Sequence, residues 1–185
     1  MARQLCDYVR VYEDTLPSAQ CRALIERFEA APDLQERTPA DRAFRFVELN
    51  VSRHWPEVET QVFGAMMAHI QRYWTELGIG PVWPRKVDVE RLRLKRYLPG
   101  GEDQFPPHVD VMTAEESRRF LTAILYLNDP GGGETTFPDL GLTVTPAPGR
   151  MVIFPPLWLF AHAGLPPRER AKYILHRYLW YPASD

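Results

Sequence analysis

The sequence predicts a mainly β domain with supporting helices, of the sandwich or jelly-roll type. Three observations carry this reading. Short apolar segments recur at 120–127, 134–137, 142–146, 150–154 and 172–180, separated by Gly, Pro and Asn-Asp turns. Proline is frequent, 18 of 185 residues against an average usage of about 5%, and concentrates between Pro81 and Pro167 beside those segments. Clear helical periodicity is confined to the residues before about 80.

In chain order, residues 16–31 read as a helix, with Leu24, Ile25 and Phe28 at helical spacing and Thr15 or Ser18 as its cap. Residues 33–43 are polar and read as a loop. Ala43 to Val51 alternates as a strand does. Pro56 to Leu77 is a second helix, with Val58, Val62, Met66, Ile70 and Tyr73 on one stripe and proline at its start. Beyond Pro84, Val87, Val89, Arg91, Arg93, Lys95 and Tyr97 alternate with Asp88, Glu90, Leu92, Leu94 and Arg96. This predicts a strand with one buried and one wet face, its basic residues on the wet side. The length suits one domain, residues 1–185, divided near residue 80 into a helical support region (1–80) and a β core (81–185).

Composition excludes several classes. Hydrophobic residues are 45% and charged residues 25%, which removes a disordered tail. With 22 Lys and Arg against 24 Asp and Glu, the net charge of −2 offers no global field for nucleic acid. Cys6 and Cys21 make neither a disulfide framework nor a thiolate metal site, so a reduced, cytoplasmic compartment is the simplest expectation. No signal peptide or membrane-length apolar run is evident, and no membrane partner is expected.

The chemistry concentrates in a few residues. In Pro107-His108-Val109-Asp110, positions i and i+2 of an extended segment project to one side, so an imidazole and a carboxylate converge. One more imidazole completes a 2-His-1-carboxylate triad of the kind that leaves open positions on non-haem Fe(II). His162, which the strand Gly149-Arg-Met-Val-Ile-Phe is expected to deliver to the barrel mouth, is the best distal partner. Ten positions later Lys172 opens the apolar strand Lys-Tyr-Ile-Leu-His-Arg-Tyr-Leu-Trp, where a buried lysine needs an anion.

These residues stand in an ordered set. It comprises Arg-Leu-Lys-Arg-Tyr97, His108-Val-Asp110, Phe120-Leu-Thr-Ala-Ile-Leu-Tyr126-Leu-Asn-Asp, Gly132-Gly-Glu-Thr135-Thr-Phe-Pro, Pro148-Gly-Arg-Met-Val-Ile-Phe, and then His162 and Lys172. Over about residues 87–181 the set resembles the prolyl-4-hydroxylase-like branch of the Fe(II)/2-oxoglutarate dioxygenases. The resemblance implies a double-stranded β-helix with the N-terminal helices packed on it. It implies Fe(II) held by His108, Asp110 and His162, with 2-oxoglutarate and O2 as cosubstrates and ascorbate as an optional stimulant. It places Lys172 on the distal carboxylate of 2-oxoglutarate, with Tyr126, Thr135 and Tyr97 beside the cosubstrate. His176, Tyr178 and Trp180 become candidates for the substrate pocket; relatives often carry a tryptophan where Tyr178 stands.

Two stretches depart from the branch. Pro-Pro-Leu-Trp158-Leu-Phe160-Ala is apolar and stiff, so Trp158 and Phe160 are expected to wall a substrate entrance. The segment Val111–Arg119 is short and polar. The expected substrate is a small molecule, or a peptidyl or free amino acid such as proline, hydroxylated with release of succinate and CO2. A non-catalytic, cupin-like binding module and a zinc-dependent hydrolase are the competing readings. The oligomeric state is not legible.

Overall fold

The computed structural model describes residues 3–183. Its twelve strands are β1 (Arg10–Tyr12), β2 (Glu36–Arg37), β3 (Val47–Asn50), β4 (Asp88–Val89), β5 (Arg93–Tyr97), β6 (Phe105–His108), β7 (Arg119–Tyr126), β8 (Thr135–Phe137), β9 (Leu142–Val144), β10 (Met151–Phe154), β11 (His162–Gly164) and β12 (Lys172–Trp180). The helices are α1 (Ser18–Glu29), α2 (Val51–His54) and α3 (Pro56–Glu76).

The strands form two sheets of a jelly roll. The major sheet has eight strands, ordered β1-β10-β7-β12-β5-β3-β2, with β4 paired to β12. The minor sheet has four, ordered β6-β11-β8-β9. Side chains alternate across each strand, so the major sheet has two apolar faces. On β7, Leu121, Ala123 and Leu125 face the helices, while Ile124 and Tyr126 face into the barrel. On β12, Tyr173, Leu175 and Leu179 face the helices and Ile174 faces inward. Both faces being buried explains why these strands read as nearly continuous apolar runs.

Helix α3 covers the outer face. Proline begins it, Glu57 and Glu59 lie in its first turn where the helix dipole favours them, and Val58, Val62, Met66, Ile70 and Tyr73 form the buried stripe. Arg177 leaves β12 on the same side, where it pairs with Glu59 and donates to the Glu90 carbonyl at 3.0 Å. Ile70 is fully buried, so Ile70→Ala is expected to cost about 2–5 kcal/mol of stability, read as a lowered urea midpoint.

Several expectations need correction. The N-terminal 80 residues are not only helical support: they supply β1, β2 and β3 to the major sheet. The segment expected to be a loop holds a 3-10 turn at Pro32–Leu34 and then β2. Strand β3 starts at Val47, and Phe44 and Phe46 precede it as a stack with ring centres 5.7 Å apart. Helix α1 has no side-chain cap; Pro17 precedes it, and the buried Thr15 hydroxyl has no partner. The basic residues of β5 are not a wet face: Leu94 packs toward the helices, while Lys95 and Tyr97 line the barrel.

Candidate active site

The minor sheet brings the two imidazoles together. His108 ends β6 and His162 begins β11, and they are direct cross-strand partners, with ring centres 4.3 Å apart. His162 is therefore not delivered by β10, as expected; residues 155–161 cross from the major sheet to the minor one before it. Asp110 follows two residues after His108. Its Oδ1 is 3.4 Å from His108 Nε2 and its Oδ2 is 3.9 Å from His162 Nε2. One ligand atom from each residue lies within 4.8 Å of the others.

The hydrogen bonds around this trio favour a cation. His108 Nδ1 lies 2.8 Å from the Pro106 carbonyl and His162 Nδ1 lies 3.0 Å from the Phe160 carbonyl. A carbonyl only accepts, so both Nδ1 atoms carry the proton and both Nε2 atoms are free to turn a lone pair inward. The Asp110 carboxylate is oriented by Thr122 Oγ1, donating to Oδ2 at 2.9 Å, and by the Tyr178 hydroxyl, donating to Oδ1 at 2.8 Å. Two lone pairs and a buried carboxylate converging on one point repel one another unless a metal ion, or a shared proton, sits between them. Burial by itself raises the Asp110 carboxyl; with no metal ion between them, a proton shared with His108 and the positive charge of protonated imidazoles outweigh it and hold the carboxyl well below the usual range, the part a cation plays when both Nε2 atoms are unprotonated. Burial pushes His162 down, against the pull of Asp110. The donor set therefore fits Fe(II), with two imidazoles and one carboxylate on one side.

A cavity lies beside the trio. Lys172 lies at one end, 2% exposed. Its Nζ donates to the carbonyls of Gly133 at 3.0 Å and Leu165 at 3.4 Å, and stands 4.5 Å from the centre of the Tyr97 ring, its cross-strand partner. It has no carboxylate partner among the described residues, and burial lowers the ammonium to about 7. Gly133, at a φ of +71°, makes room: a Cβ there would stand 2.9 Å from Lys172 Cδ. Tyr126 donates to Thr135 Oγ1 at 2.6 Å on the cavity wall. Lys172, Tyr97, Tyr126 and Thr135 therefore line one cavity with the trio.

Of the pocket candidates, His176 and Tyr178 line the cavity. The other three do not. Phe160 is buried in the barrel core, and Trp158 is 73% exposed on the outer surface. Trp180 has the parity of Lys172, but the register shifts between Leu179 and Trp180, and its indole donates to Glu90 at 3.1 Å instead. Three further residues belong to the site: two went unnoticed in the sequence, and the third, Lys95, was expected to face solvent. Thr122 shares the inward parity of Tyr126. Phe105 stacks on His108 with ring centres 3.8 Å apart. Lys95 lines the cavity with Phe105.

A jelly roll whose cavity joins an iron-fitting trio to a buried, unpaired lysine defines a class: dioxygenases that use Fe(II), 2-oxoglutarate and O2. Residues 92–180 match the family described as the 2OG-Fe(II) oxygenase superfamily. That match, together with the donor set of the trio, makes the protein a 2-oxoglutarate-dependent dioxygenase. This displaces the binding-module and zinc-hydrolase readings. No curated protein matches the chain in sequence.

Among solved structures, the chain is similar to a viral collagen prolyl hydroxylase from Paramecium bursaria Chlorella virus-1 in complex with 2OG. The identity is 21%, with 97% of this chain and 100% of the other covered and a TM-score of 0.68. A prolyl-4-hydroxylase from Pseudomonas putida matches at 19% identity, with 95% and 94% covered and a TM-score of 0.68. A prolyl hydroxylase from Trichoplax adhaerens, in complex with a hypoxia inducible factor peptide fragment, matches at 11%, with 94% and 84% covered and a TM-score of 0.70. The fold is thus that of the prolyl-4-hydroxylase-like branch. Among the described residues, no helix is long and apolar enough to cross a membrane.

Proposed function

We propose that residues 1–185 act as one catalytic unit that hydroxylates an unactivated C–H bond of a small molecule, or of a peptidyl or free amino acid such as proline, with release of succinate and CO2. The observation that supports this most directly is the sharing of one cavity by His108, Asp110, His162 and the buried Lys172.

In this reading His108, Asp110 and His162 hold Fe(II). The metal, with 2-oxoglutarate and O2, supplies the oxidising power for C–H cleavage. The protein's part is binding and aim. Lys172 receives the distal carboxylate of 2-oxoglutarate; two of its donors already meet carbonyls, which fixes the direction of the third. Tyr126 and Thr135 flank that carboxylate, and Tyr97 packs its ring beneath the lysine. Thr122 and Tyr178 hold the Asp110 carboxylate in one orientation. Phe105, Ile124 and Ile174 keep the walls dry. The two free cysteines accord with a reducing, cytoplasmic setting.

The test is an incubation with Fe(II), 2-oxoglutarate, 18O2 and a panel of proline peptides, free amino acids and small apolar acids. The expected result is substrate-dependent succinate, with one 18O atom in the product per succinate. A product that has lost two hydrogens and gained no oxygen would refute hydroxylation, while leaving the enzyme class intact.

A further inference from the structure

Strand parity leaves one cation in the barrel without a task. Lys95 shares the inward face of β5 with Tyr97, and its partner across the sheet is Ile174. It is 5% exposed, yet its ammonium makes no hydrogen bond or ion pair with any described residue. Its contacts are aromatic: Nζ stands 4.4 Å from the centre of the Phe46 ring and 5.9 Å from that of Phe105. A buried ammonium without a counter-ion is unfavourable, and ring faces offset only part of that cost.

All but one of the neighbouring charges are already engaged. Arg93 is 2.7 Å from Glu90, and Arg119 is 3.5 Å from Glu90 and 3.1 Å from Glu116. Asp110 is committed to the imidazoles and to two hydroxyls. Glu48 lies opposite Lys95 on β3; its Oε2 is buried without a hydrogen-bond partner and its charge favours the charged lysine, but it stands beyond ion-pair distance of the ammonium. Lys172 serves the far end, two residues along the sheet, or roughly 7 Å from the level of Lys95. Lys95 also borders an outer cleft that opens past Arg42, Phe44 and Met112, so a ligand entering from solvent meets it beside the iron-binding trio.

We propose that Lys95 receives a carboxylate of the substrate, and hence that the substrate is a small organic acid rather than an internal residue of a peptide chain. This rests on the hydroxylase reading above and narrows it. A single ammonium matches a monoanion; a phosphate dianion would stay half-compensated in a buried site. The carbon skeleton then packs against Phe46 and Phe105, with Phe44 stacked 4.7 Å behind Phe105.

The test compares N-acetyl-L-proline, hexanoate and phenylacetate with their methyl esters. Binding is read by anaerobic calorimetry on protein loaded with Fe(II) and 2-oxoglutarate, and succinate release is read in air. At least one acid is expected to bind wild type tenfold or more tightly than its ester and to drive succinate release. Lys95→Met should erase that preference and Lys95→Arg should keep it. Both variants should form the Fe(II)–2-oxoglutarate absorption band at wild-type 2-oxoglutarate concentrations, within twofold. The proposal is overturned if no acid outbinds its ester on wild type, a comparison that needs no variant to fold. It is equally overturned if Lys95→Met keeps the preference, or if that variant needs tenfold more 2-oxoglutarate, which would assign the lysine to the cosubstrate. Absence of the band in wild type, seen before any acid is added, overturns the hydroxylase reading and this assignment with it.

Discussion

Asp110→Asn is expected to lower succinate formation by more than the roughly 10–100-fold that losing an outer partner of a metal site costs. The carboxylate is the only anionic donor in the trio, and it bridges His108 and His162 at 3.4 and 3.9 Å. An amide keeps the shape and can still accept from Thr122 or Tyr178. The fold should therefore persist while the metal site fails. The check is a pair of measurements: iron content after desalting, and the thermal midpoint of the metal-free protein. Iron should be lost, with the midpoint shifted by a few degrees at most. Retained iron and retained turnover would remove Asp110 from the site.

Lys172→Ala is expected to raise the 2-oxoglutarate concentration for half-maximal rate by about 10- to 150-fold, the worth of one hydrogen bond to a charged group, with little change in kcat. The same lysine sets a pH dependence. Burial lowers it from 10.5 to about 7, so between those values the unfolded chain holds a proton that the folded, ligand-free protein has released. Its contribution to stability therefore rises as pH rises from 7 towards 10.5. Binding of the dicarboxylate runs the other way. Above about pH 7 the free site must take up a proton before it pairs, so affinity for 2-oxoglutarate should fall about tenfold per pH unit, with proton uptake on binding. Lys172→Arg, whose guanidinium stays charged, should flatten that slope. A slope that survives in the arginine variant would belong to another group.

Much of this was legible in the sequence because the major sheet is apolar on both faces. Strands β7 and β12 announce themselves as apolar runs, and the stripe of α3 follows helical spacing. The convergence of His108 and Asp110 needed only strand alternation. Strand β5 was misread because charge suggested solvent. Tyr97 was already assigned to the cosubstrate, and Lys95, two residues before it, must share its face. Parity alone would have moved the lysine indoors. Strand β1 could not be read: three residues carry no period, and their partners in β10 lie some 140 positions on. The shift that turns Trp180 away from the cavity is likewise invisible in a strand that otherwise alternates cleanly.

The central claim is that His108, Asp110, His162 and Lys172 build one site for Fe(II) and 2-oxoglutarate. An anaerobic titration of the metal-free protein with Fe(II), then 2-oxoglutarate, tests it directly through the visible charge-transfer band of the chelated keto acid. The account predicts that the band appears in wild type and is absent in His162→Ala. A wild-type protein that demonstrably binds iron yet gives no band, or a His162→Ala protein that keeps it, would contradict the account.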